Sequence, residues 1–569
     1  MYNLFMLMNE KQKAFTIVEL LVVIVVIGIL AAITIVSYSS INKRAIAAVL
    51  ESDLDSGNKL LKMYNVEYGY YPDSIGQDYC PDSPTIDDRY CLEASKGTTL
   101  TYSGGGQTFT LTSTHTTSAL AYQITENGAA TAVVPSGSST NTFAKAWGAA
   151  TYETGGTIGK TNDGGFVSTG YVDSNLSTTG KVILAKFTAN GLPVWNSTWY
   201  GTGFDSGSAV IQASDGGYVI AGNSSSFAVG NSDVLLVKFS SEGMFVWNKN
   251  IGIGGAKGDT GYGVVEASAG GYVVTGGTVN GNASTIYDVF LSKFDTDGNI
   301  VWTRTWGLSG TNEYGRRVIN TSDGGFAVTG WAGDTRGSGC WDAFLNKYTS
   351  DGTLSWSRLW GGTASEQGSN VVQTSNGDFL VTGYTDSFTA GSSDVFLAKF
   401  SSSGDLIWDK TWGGTASDKS TGLVLSSDGT YVVSGSTSSF GAGGSDAFLL
   451  KYSSNGDLLW NKTWGGASAD GGGMSIQNSD NSYIIGGYTL GFGSGAYDSL
   501  FLKFSSDGVM SNCSSPMCQS PTAIEKNPDV SVINDPPSFV VNTNPTVTVG
   551  TPAASVSVFS GTLTDIVSP

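Results

Sequence analysis

The chain repeats itself, and the repeat limits its fold more than any other feature. Aligned on itself, it places Trp195, Trp247, Trp302, Trp356, Trp408 and Trp460 at intervals of 52, 55, 54, 52 and 52 residues. Four residues after each stands Trp199, Ile251, Trp306, Trp360, Trp412 or Trp464. A second marker is an apolar run with Lys in next-to-last place, found at 181–187, 233–239, 288–294, 342–348, 394–400, 446–452 and 498–504. A third is a turn of the NDGG or SDGG kind near 162, 214, 268, 322, 375, 427 and 479. Each unit alternates apolar and polar residues with period two, and its turns carry Gly with Asn or Asp, which is hairpin chemistry. Four short strands in roughly 50 residues, seven times over, predict a seven-bladed β-propeller; a β-solenoid, with shorter coils, is the runner-up.

Closure supplies an independent argument. The seventh unit lacks its Trp-containing fourth strand, because VMSNCSSP follows Gly508. Phe143-Ala144-Lys145-Ala146-Trp147, ahead of the first unit, matches Trp460 to Trp464. An N-terminal strand completing the last blade seals the ring and removes two open edges. The propeller is expected over 143–512, and it resembles bacterial propeller repeats of secreted surface proteins.

The recurrent residues read as scaffold. A paired Trp such as Trp408 and Trp412 could form a sugar platform, but a residue that recurs in every blade suits inter-blade packing better. Asp233, Asp288, Asp342, Asp394, Asp446 and Asp498 read as acceptors for turn amides. Asp295-Thr296-Asp297-Gly298-Asn299 resembles the start of a calcium loop, but it lacks the closing Glu, and no metal site is expected. Function is sought where repeats diverge. Blade four carries Arg316, Arg317, Trp331, Arg336 and Trp341 in place of small polar residues, and Arg and Trp are types enriched where proteins grip ligands.

Ahead of the repeats lies Phe15 to Val36, 22 residues whose one charge is Glu19. A helix of that length matches a hydrocarbon core of about 30 Å. A carboxylate inside it implies a partner. Lys11 and Lys13 precede the run, which predicts a cytoplasmic N-terminus. The order Lys11-Gln12-Lys13-Ala14-Phe15-Thr16-Ile17-Val18-Glu19-Leu20 resembles the start of a type IV prepilin or pseudopilin. That resemblance implies cleavage between Ala14 and Phe15 by a prepilin peptidase, methylation of the new amine, and assembly through Glu19 with the N-terminal amine of a neighbouring pilin subunit. Ala14 departs from the Gly usual in the family. The expected layout is a leader over 1–14, a membrane and assembly helix over 15–66 closed by Gly69 and Pro72, and a small β head over 67–130. The fold class is thus α+β in a pilin-like module, then all-β. Residues 131–142 read as a linker.

Composition bounds the rest. With 29 basic against 48 acidic side chains the net charge is −19, which argues against nucleic acid as a partner and suits an extracytoplasmic surface. One His, His115, excludes most His-based metal sites and triads, and no cofactor is expected. Five Cys allow local disulfides 80–91 and 513–518, with Cys340 alone. Residues 513–569, rich in Pro, Thr, Ser and Val, read as an extended stalk or the start of a further strand-rich module. The chain is expected to be a minor pilin or pseudopilin-like subunit displaying a propeller for adhesion to a glycan or protein. The competing reading is an envelope-anchored propeller enzyme, a polysaccharide hydrolase or lyase.

Overall fold

The computed structural model describes residues 46, 48–76, 79–83, 87–115, 118–126, 131–133, 142–148, 152–173, 179–228, 231–253, 258–279, 286–308, 310–333, 340–389, 391–493 and 497–510, and seven strands between 518 and 565. The apolar helix over 15–36, with Ala14, Phe15 and Glu19, lies outside them. Among the described residues no helix is long and apolar enough to cross a membrane. The chain divides into two compact units, Met1–Ser139 and Thr140–Pro569.

In the first unit a helix over 48–68 covers an antiparallel sheet of Thr98–Gly105, Thr108–His115, Ser118–Thr125 and Thr131–Val133. Leu50, Leu54, Leu61 and Tyr64 are fully buried, a spacing of three, four and seven that puts them on one face. Leu54 and Leu61 share a core with Leu100, Phe109, Leu111 and Ile124. Gly57 lies between them, where an added Cβ would stand 2.5 Å from Leu111 Cδ2, so its lack of a side chain sets the close approach of helix and sheet. The helix stops as expected: Gly69 takes φ 78°, and its N–H donates to Asn65 C=O at 2.7 Å. Cys80 and Cys91 are joined by a disulfide. Thr131–Val133 corrects the linker reading: it pairs with Ser118–Thr125 because a β-prone Thr-Ala-Val run meets an open sheet edge.

The second unit is a propeller-like all-β domain. Seven of its antiparallel sheets follow the repeat, and each sheet's first strand packs on that of the next sheet around a closed cycle. The seventh sheet takes its fourth strand from Phe143–Gly148, which pairs with Asp498–Phe504. The tryptophans are buried in that assembly. Trp199, Trp306, Trp360, Trp412 and Trp464 lie below 2% exposure, within clusters that join neighbouring sheets. The outer set, Trp195 to Trp460, packs on positive-φ turn glycines of the following sheet: an added Cβ on Gly243 would sit 2.5 Å from Trp195, and on Gly508 2.8 Å from Trp460. Gly191 packs on Phe143 in the same manner, so Phe143 completes the cycle.

Two sequence markers turn out to be one device. The recurrent Lys reaches the Asp of the turn between the first and second strands: Lys186–Asp163 and Lys238–Asp215 at 2.7 Å, Lys347–Asp323 at 2.8 Å, Lys451–Asp428 and Lys503–Asp480 at 2.9 Å, and Lys399–Asp378 at 3.4 Å. Burial works against the Asp163 and Asp323 charges, but the Lys ammonium, a Thr hydroxyl and a Gly N–H outweigh it and hold both carboxyls near pKa 2. Sheet three has Ala269 at that turn and Lys293 in the strand, so the device is missing there.

The tail departs from expectation. Instead of a stalk or separate module, it runs backwards round the ring, laying Cys518–Gln519, Ile524–Lys526, Ser531–Asn534, Phe539–Asn542, Val547–Gly550 and Ser555–Ser557 on sheets six to one, then Thr562–Asp565 on sheet seven. Each strand pairs antiparallel with the outermost strand of its sheet, satisfying backbone groups that an open edge would leave bare. Positions 518, 525, 532, 541, 549, 556 and 563 stand opposite Trp464, Trp412, Trp360, Trp306, Ile251, Trp199 and Trp147.

Candidate functional site

The first strands line a central tunnel, and a bulge in each governs what enters it. Register shifts lie between Gly207 and Ala209, Gly261 and Gly263, Gly315 and Arg317, Gly368 and Asn370, and Ser420 and Gly422. Ordinarily consecutive residues of a strand face opposite ways; the extra residue of a bulge breaks that rule. The inserted residues are Ser208, Tyr262, Arg316, Ser369 and Thr421, and all five line a cavity of about 420 Å³ with Gly156, Gly473 and Met474. Because of the bulge, Arg317 lines it as well. Met474 and Tyr488 of sheet seven add larger side chains to the lining; at the bulge position itself the sheets carry Ser, Thr or Gly except at sheets three and four.

There Arg316 lies between two rings, its Cζ 4.5 Å from the centre of Tyr262 and 5.5 Å from that of Trp331. Trp331 continues into Tyr314 at 5.2 Å, and Tyr314 stacks on Tyr287 at 4.8 Å. Gly277 makes room for this stack: an added Cβ would lie 2.5 Å from the Tyr314 ring. Tyr262, Tyr287, Tyr314, Trp331 and Trp341, with Thr260, Asn312 and Gln367, line a second cavity of about 330 Å³. Asn312 Oδ1 accepts from Tyr287 N–H at 2.9 Å, fixing one wall. Tyr262 borders both cavities, so the pocket and the tunnel adjoin. Burial lowers the pKa of both guanidiniums, with Tyr262 opposing it at Arg316, and brings Arg317 to about 10, which leaves Arg317 a cation at neutral pH. Among the described residues, no Asp or Glu lines either cavity.

Of the residues singled out in the sequence, Trp331 and Trp341 line the pocket, while Arg316 and Arg317 line the tunnel beside it. Arg336 lies outside the described residues, as does Cys513. The sequence reading missed Tyr262, Tyr287 and Tyr314. The signal was present: Tyr262 and Arg316 close the aligned stretches DTGY and EYGR, where the other repeats carry Ser, Thr or Gly. The Asp295 loop keeps its carboxylate for itself, accepting from Asp297 N–H, Asn299 N–H and the Asn299 amide at 2.8–3.0 Å.

Comparison with known proteins bears on both ends of the chain. Residues 10–35 match the family model of the prokaryotic N-terminal methylation motif. A stretch of 79 residues is 30% identical to Type II secretion system core protein G of Escherichia coli (strain K12), covering 14% of this chain and 54% of that protein. The stem is pseudopilin-like. The chain spans about half the length of this curated relative. Residues 426–458 match a beta-propeller family of unknown function, DUF5122, consistent with the ring of sheets around them. Among solved structures, Sqt1 from Chaetomium thermophilum aligns at 10% identity over 63% of this chain and 98% of its own, with a TM-score of 0.36. NanB sialidase from Streptococcus pneumoniae aligns at 9% over 71% and 85%, with a TM-score of 0.33. Xylan beta-1,4-xylosidase from Bacillus halodurans C-125 aligns at 11% over 78% and 96%, with a TM-score of 0.24. Likenesses this distant carry no argument about activity.

Proposed function

We propose that the chain is a minor pilin or pseudopilin-like subunit that displays a seven-bladed β-propeller outside the cell for adhesion or ligand binding. In this reading a prepilin peptidase cuts between Ala14 and Phe15, the apolar helix holds the subunit in the cytoplasmic membrane until assembly, and Glu19 meets the amine of a neighbouring subunit. The propeller's bulk favours a minor or terminal place in a filament over a densely packed major one.

The observation that carries the binding role is Arg316 held between Tyr262 and Trp331 at the meeting of two cavities, where the equivalent positions of the other sheets carry Ser, Thr or Gly. Hydrolysis of a glycosidic bond ordinarily uses a pair of carboxyl groups at the site. The described lining of both cavities offers guanidinium, hydroxyl and aromatic groups, the kinds that grip a ligand, which supports a binding role. The test is display. An antibody against the propeller should label intact cells of a strain with an active prepilin peptidase and not cells lacking one. Equal labelling of both strains overturns the stem's assigned role.

A further inference from the structure

Arg316 and Arg317 stand without a carboxylate among the described residues. Six of the strand lysines are matched with an Asp, whereas Arg316 and Arg317 enter no ion pair among the described residues. The Nε of Arg317 is buried with no hydrogen-bond partner. A buried donor left unpaired is costly, more so on a charged group, so this tunnel is poised for an acceptor from outside. Adjacent guanidiniums brought to one face by a bulge offer planar forks, the geometry that fits a carboxylate in two-point contact.

The hydroxyls around them narrow the ligand further. Thr157 donates to Ser208 C=O at 3.1 Å, Ser369 to Thr382 C=O at 3.1 Å, and Thr421 and Ser436 to Gly472 C=O at 3.5 and 3.2 Å. Each has one proton and has spent it, so towards the tunnel these groups accept and do not donate. They suit a ligand that brings its own O–H donors, and they leave its anionic group to the arginines. The neighbouring pocket adds flat aromatic walls and a Trp341 that is 38% exposed.

We infer that this site binds a carboxylated saccharide, with its carboxylate on Arg316 and Arg317, its hydroxyls on the Ser and Thr ring, and further sugar against the aromatic wall. The inference rests on the binding role proposed above and names its ligand class. Cavities of about 330 and 420 Å³ fall within the range of small-ligand sites.

The test is calorimetric titration of the full chain in detergent micelles with trigalacturonate, with its methyl ester, and with a sulfated neutral trisaccharide. Trigalacturonate should bind at least about tenfold more tightly than the ester, as charge-assisted hydrogen bonds of about 1.5–3 kcal/mol predict. Arg316→Gln and Arg317→Gln should each weaken it by about tenfold or more and narrow the gap between acid and ester, with a cooperative melt showing that each variant folds. Equal affinity for acid and ester overturns the inference. So does preference for the sulfated sugar, indifference to both substitutions, or no binding of any of the three. Display is scored separately with the antibody: a displayed protein that fails to bind refutes only the ligand class, and a binding protein that is not displayed refutes only the stem's role.

Discussion

Replacing Asp259 with Asn should stabilise the propeller above neutral pH. Asp259 immediately precedes the first strand of sheet three, Thr260–Glu266, and is fully buried. Its Oδ2 accepts from Ile253 N–H at 2.7 Å, while Oδ1 has no hydrogen-bond partner. Burial is the main force raising its pKa, and the Asp233 charge adds to it; the Thr278 hydroxyl and Ile253 N–H pull the other way, leaving it near 7 against an ordinary 3.8. The Asn250 amide donates to Asp233 Oδ2 at 3.0 Å, while Asp259 Oδ1 has no such donor. Because the folded-state value is raised, the stability it allows is fully present below pH 4 and is lost as pH rises through 7. At about 1.36 kcal/mol per pH unit, the rise from 3.8 to about 7 amounts to about 4 kcal/mol above pH 8. An Asn keeps the acceptor for Ile253 and carries no charge. Urea unfolding at pH 5, 6.5 and 8 should show wild type losing stability across the series. Asp259→Asn should fall less and exceed wild type by up to about 4 kcal/mol at pH 8. Asp163 and Asp323, held near 2, titrate below this window. A variant weaker than wild type at pH 8, or a gap that does not change with pH, refutes the reasoning.

Ala269→Asp should supply sheet three with the pair that six others have, partnering Lys293 for up to about 1 kcal/mol in thermal melts, since the turn is exposed. Cys80→Ser should cost the head about 2–3 kcal/mol under oxidising conditions, the closure entropy of an 11-residue separation, and nothing in excess dithiothreitol. Ending the chain after residue 510 should bare the outer edges of the seven sheets. It should turn a monodisperse profile in light scattering into a concentration-dependent aggregate. Equal dispersity with and without the tail would remove the edge-covering role.

The repeat was legible because burial imposes period two on each strand and hairpins demand Gly at fixed places. The Lys and the turn Asp were each visible as markers, yet their pairing was not, because they are 21–24 residues apart and meet only across the folded sheet. The blade-four arginines and tryptophans stood out as breaks in the pattern. Tyr262 did not, because a Tyr in a β-rich repeat looks ordinary until the bulge turns it inward. The tail misled for a compositional reason: Pro, Ser and Thr dominate it. Its spacing of 7–9 residues between paired positions matches one blade edge to the next, a period too short for a blade and too loose for a helix.

The strand Phe143–Gly148 is where the chain enters the propeller from the stem. It is held on one side by Asp498–Phe504 and on the other by Thr562–Asp565. Any tension on a surface-bound propeller therefore arrives at Phe143 and is shared at once by two antiparallel ladders, one made by the last repeat and one by the end of the tail. Hydrogen bonds on both flanks must yield before the strand slips out. The piece of chain that fastens the propeller to its stalk is also the clasp of the ring, so the load that would detach it must first open the circle.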